Sequence, residues 1–88
     1  MIHGMIPTNR QAHMLARQQL ASTYLEIARE IEQAEEELWI ASMEYGEHDP
    51  RVQYFEDRIQ VLRQERIDLF YEGNLTQQEI EQALQREV

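Results

Sequence analysis

The sequence predicts an all-α protein: a long antiparallel helical hairpin of coiled-coil character plus a short C-terminal helix, completed as a bundle by oligomerisation. Three observations carry this. Leu20, Tyr24, Ile27, Ile31, Ala34, Leu38, Ala41 and Tyr45 follow one another at alternating steps of four and three, an unbroken apolar heptad seam. After Pro7, the only helix breakers are Gly46, Pro50 and Gly73. The chain has 88 residues and no cysteine, so it is small for a lone globule and has no disulfide or thiolate metal site to supplement its core. Idealised helix packing or self-association is the remedy left to it.

Residues 1–7 read as an irregular arm, punctuated by Gly4 and Pro7 and made apolar by Met1, Ile2, Met5 and Ile6. The arm lacks the basic leader and long apolar core of a secretory signal. Residues 8–88 form a single helical domain. Thr8 with Gln11 makes a capping box at the start of the first helix, expected over residues 9–45 and roughly 55 Å long. Gly46 ends it by adopting the left-handed C-terminal conformation. Asp49 caps the next helix and Pro50 opens it, where the missing N–H costs nothing.

The second helix is expected over residues 50–72. Val52, Phe55, Ile59, Leu62, Leu69 and Phe70 line its inner face. Pairing Tyr45 with Arg51 sets a register in which Phe55 faces Ala41 and Leu62 faces Ala34, large against small. Arg66 interrupts this face. The same register places it opposite Glu30, with its stem along the seam edge and its head in solvent. Gly73 and Asn74 break the helix. Thr76 and Glu79 make a capping box for a third helix over residues 76–86, and Leu75 and Ile80 form its hydrophobic staple.

The first helix carries a second apolar stripe about 110° around from the seam. It comprises Met14, Ala21, Leu25, Ala28, Trp39 and Met43. A helix in a simple hairpin needs one stripe, so two stripes imply two packing partners. These six residues are the expected partner interface, with Trp39 either its anchor or a shield of the hairpin's flank against the third helix or the N-terminal arm. The second helix, roughly 35 Å long, covers only the later part of the first. The overhang near Asn9 to Ser22 needs either the third helix running on down the same side or a second copy. A symmetric dimer with a four-helix core satisfies both demands.

Seventeen acids against eight bases give a formal charge of −9. That average charge repels nucleic acid and argues against direct binding to it. Every base is arginine, which suits multi-donor contacts on packed helix surfaces. Arg10, Arg17 and Arg29 fall in the first third, whereas Glu30 to Asp49 contains eight acids and no base. No stretch has the length and apolarity of a membrane span, and a cytoplasmic or intracellular setting is expected.

Glu32, Glu35, Glu36 and Glu37 read as a solvated acidic face. His3, His13 and His48 are scattered, with no metal-ligand spacing. Ser22, Thr23 and Ser42 have no neighbouring His, and three glycines make no phosphate loop. The residues thus point to no catalytic group, cofactor or metal. The Glu32-x-x-Glu35 and Glu65-x-x-Asp68 pair resembles the ExxE…ExxD pattern of MazG-like nucleotide pyrophosphohydrolases. That resemblance implies a helical dimer binding magnesium through inward-facing carboxylates. The segment from Leu69 to Glu81 resembles the tail of SHOCT-type short C-terminal domains: an aromatic, a glycine, then a capped short helix.

The expected function is a non-enzymatic assembly or adaptor protein, acting by protein–protein interaction as a homo-oligomer or a component of a larger complex. One alternative is an acidic decoy, an inhibitor that occupies a basic channel of another protein. The other is the magnesium-dependent hydrolase that the MazG-like pattern implies.

Overall fold

The structure, a computed structural model, describes residues 9–87. The expected N-terminal arm and the Thr8 cap lie outside the described residues. Among the described residues three helices form an elongated rod of 64 × 24 × 24 Å: α1 (Asn9–Tyr45), α2 (Pro50–Glu72) and α3 (Gln77–Glu87).

The turns follow the local chemistry. Gly46 has φ +89°, the left-handed conformation that a side chain would strain. The Asp49 carboxylate accepts from the Arg51 amide at 2.9 Å and Pro50 opens α2, so Asp49 is the N-cap. The Arg51 guanidinium lies 3.4 Å from the centroid of the Tyr45 ring, and so the hairpin closes on the pair that set the expected register. Phe55 and Ala41 line one surface groove together, in agreement with that register.

Ile31, Ala34 and Ala41 of α1 and Val52, Ile59 and Leu62 of α2 are buried along the seam. Leu20, Tyr24, Ile27 and Leu38 are half-buried, while Tyr45 stays exposed beneath Arg51. One expected contact is replaced. Glu30 pairs with Arg58 at 3.7 Å, not with Arg66. The pair runs diagonally along the hairpin, to a residue about two turns nearer the start of α2. Arg66 is half-buried in a groove beside Tyr24, Ile67 and Phe70, with no acid in ion-pair range among the described residues. An aliphatic side chain at this half-buried place beside Tyr24, Ile67 and Phe70 would bury apolar surface without an unpaired charge at its end. Arg66→Leu is therefore expected to raise Tm by about 2–5 °C without changing helix content, measured by thermal circular dichroism.

α3 departs from the simplest expectation. It does not continue down the seam side of α1. Arg17 binds Glu79 and Arg29 binds Glu87, so α3 runs parallel to α1 and returns along it. Both α2 and α3 pack on α1. Ala21, Leu25, Leu75, Ile80 and Ala83 form a buried cluster, and Leu20, Tyr24, Leu69 and Phe70 pack around it. Ala21 and Ala83 keep the two backbones close, which lets an 11-residue helix hold on with few side chains. The expected cap and staple both form. The Thr76 amide donates to Glu79 at 2.9 Å, the Glu79 amide donates to Thr76 at 3.2 Å, and Leu75 and Ile80 are buried together.

The turn before α3 uses its residues unequally. Asn74, not Gly73, takes the positive φ, at 50°. Gly73 is needed for space. A Cβ there would lie 2.6 Å from the Leu69 carbonyl oxygen and 3.5 Å from Leu20 Cδ1.

Candidate interaction surface

The second stripe of α1 is divided by α3. Ala21 is 1% exposed and Leu25 is 6%, both beneath α3. These two residues, expected at a partner interface, are covered by the chain's own third helix. Their small size and apolar character meet Ile80 and Ala83 instead. Ala28 is half-buried near the end of α3. Beyond it no described residue covers the stripe: Trp39 is 65% exposed and Met43 is 69%. Met14, at the opposite end, is 51% exposed.

Trp39 forms one wall of a groove of about 650 Å³ between α1 and α2. Leu38 and Ile59 make its apolar floor, and Ser42 and Gln60 add hydrogen-bonding groups. Three carboxylates, Glu35, Glu47 and Glu56, surround it with one base, Arg63. Arg63 reaches Glu35 at 3.4 Å, which leaves Glu47 and Glu56 uncompensated. An indole over an apolar floor, rimmed by excess negative charge, suits a helix or strand bringing an apolar side chain and a cation.

The remaining residues of the acidic face, Glu32, Glu36 and Glu37, are exposed. Glu37 accepts only a 3.4 Å hydrogen bond from Gln33 on its own helix. The carboxylates of the MazG-like pattern do not converge. Glu32, Glu35, Glu65 and Asp68 are exposed, Glu35 faces Arg63, and Asp68 accepts from Gln64 at 2.8 Å. Among the described residues, no three acids or histidines come together as metal ligands. His48 sits exposed in the hairpin turn, and its neighbour Asp49 is committed to Arg51 at 2.9 Å. Hydrogen bonds from Arg51 hold the Asp49 carboxyl down at about 2.

At the other end of α1, a second groove of about 330 Å³ opens between the start of the helix and α3. Arg10, His13, Met14 and Arg86 line it, together with the Arg17–Glu79 pair. Sequence reasoning missed this place because Arg86 arrives from α3, whose direction the pattern does not give. It also missed Arg17. The available signal was an arginine on the edge of the apolar stripe, where a carboxylate from a packing helix is its natural partner.

Among the described residues no helix is long and apolar enough to cross a membrane. In comparisons with known proteins, the chain matches no family model, no curated protein and no solved structure.

Proposed function

We propose that this chain is a non-enzymatic helical assembly or adaptor protein, and that the Trp39–Met43 end of α1 receives another polypeptide. The observation that carries this reading is the exposure of Trp39 and Met43 on a stripe that α3 covers at Ala21 and Leu25. Among the described residues the chain's own cover stops near Arg29, where Glu87 ends α3. A tryptophan left bare beside a methionine and an apolar groove is what an interface anchor looks like before its partner arrives. The excess carboxylates at the rim favour a partner surface with positive charge.

A photo-crosslinking residue at position 39 tests this directly. In cells expressing the chain, position 39 is expected to give a discrete protein adduct, and the exposed position 64 on α2 is expected to give none. Trp39→Ala should weaken the captured complex by about 2 kcal/mol or more, measured by titration with the purified partner. Absence of any adduct from position 39 would remove the reading.

A further inference from the structure

Accepting that the Trp39 end is a docking surface, we infer that its occupant is the cationic end of a second copy of this chain. The argument begins with the arginines. Arg17, Arg29, Arg51, Arg58 and Arg63 each hold a carboxylate. Among the described residues Arg10, Arg66 and Arg86 have no ion pair. Two of these three, Arg10 and Arg86, line the same groove, with His13 beside them and Met14 on its wall. The carboxylate of that groove, Glu79, is already bound by Arg17 at 2.7 Å. A chain of formal charge −9 thus carries a locally uncompensated cationic groove. Its opposite end presents the complement: Glu47 and Glu56 in excess around Trp39.

The two ends match in apolar character as well as charge. Each combines an exposed apolar side chain with two unpaired charges, positive at one end and negative at the other. The cationic groove of about 330 Å³ is wide enough to take an indole. Arg10 or Arg86 can then lie against the Trp39 ring while Glu47 and Glu56 meet the guanidinium groups.

The positions also permit closure. Met14 and Trp39 lie about 20° apart on the helical wheel, so both ends face the same side of α1. Two copies placed antiparallel about a two-fold axis make the contact twice, each cationic groove receiving the other copy's Trp39. The contact is self-complementary and produces a closed dimer, not a fibre. α3 covers this side of α1 between Arg17 and Arg29, so with Met14 set against the other copy's Trp39 the two α3 helices overlap near the two-fold axis and lie side by side, antiparallel, between the rods. The bundle that a single copy leaves incomplete is finished in this way.

Charge reversal in two halves tests the inference. R10E/R86E turns the cationic end acidic, and E47R/E56R turns the acidic end cationic. Both pairs are exposed, and circular dichroism confirms that each variant keeps its helix content. Sedimentation velocity and native mass spectrometry are expected to show a wild-type dimer that dissociates as salt rises, because the charge pairs lie near solvent. Each variant alone should be a monomer, and their equimolar mixture should dimerise again, since every contact in the mixed dimer pairs opposite charges. A wild-type monomer throughout the micromolar range would overturn the second copy as occupant. So would a dimer indifferent to both reversals. The crosslink from position 39 separates the two readings: an adduct to a different protein overturns this inference and leaves the docking surface standing, whereas no adduct overturns both.

Discussion

Leu25→Ala is expected to lower the free energy of unfolding by about 3 kcal/mol, within the range for truncating a buried leucine. The substitution removes the largest α1 side chain that is fully covered by α3, in a cluster completed by Leu75 and Ile80. α3 is short and amphipathic and has no second helix body to lean on, so it cannot easily collapse into the space. The loss is a large share of the stability of a domain this size. It should first appear locally, as faster amide exchange across α3 while α2 remains protected. Met43→Ala is the natural control. It lies on the same stripe, is 69% exposed, and should change stability by less than about 0.5 kcal/mol. Urea unfolding followed by circular dichroism reads both. The pair also decides what Leu25 does. If Leu25→Ala left the monomer as stable as wild type and weakened only association, Leu25 would belong to an interface between chains and not to the α3 cluster.

Much of this architecture was legible because its punctuation is sharp. Gly46, the Asp49-Pro50 pair and the Thr76–Glu79 box are local devices whose chemistry acts within a few residues, so helix limits could be read from them. The register was legible because Phe55 and Leu62 require small residues opposite, and Ala41 and Ala34 are where an antiparallel return places them. The path of α3 was not legible. A turn at Gly73 and Asn74 can send the next helix in several directions. The choice depends on Asn74 adopting φ 50° and on Arg17, more than fifty residues earlier, holding the turn's carbonyls. For the same reason the second stripe could be seen but not divided. Periodicity reports that Leu25 and Trp39 share a face; it contains nothing about an 11-residue helix covering one and stopping short of the other.

Arg17→Ala is expected to unlatch α3 from the rod, lowering Tm by roughly 5–10 °C and erasing most of the slow amide exchange in α3. One guanidinium does several jobs here. Its Nε donates to Glu79 Oε2 at 2.8 Å and its Nη2 to Glu79 Oε1 at 2.7 Å, a two-pronged, charge-assisted contact. Nη2 also donates to the Asn74 carbonyl at 2.6 Å, and Nη1 donates to the Gly73 carbonyl. Those carbonyls close the end of α2 and have no helical partner of their own. Arg17→Lys should recover only part of the loss, since an ammonium cannot span the fork and both carbonyls together. The Glu79 carboxyl carries the pH signature. Hydrogen bonds from Arg17, then those from Thr76, hold it at about 2, against 4.5 for an unperturbed glutamate. The folded state therefore binds its proton less readily than the unfolded chain. The contribution to stability is complete above pH 4.5, declines as the pH falls from there, and is gone below about 2. Asp49, also held at about 2 by Arg51, loses its share over a slightly lower window that starts at 3.8. Acid should accordingly weaken the α3 clasp and then the hairpin turn, while Arg17→Ala removes the larger share of the Glu79 part of this dependence, leaving the Thr76 share and that of Asp49. Carbon-detected titration of the Glu79 carboxyl settles the point: an inflection near 4.5 in the wild-type chain, or α3 amides as protected in Arg17→Ala as before, would show that the clasp does not hold α3.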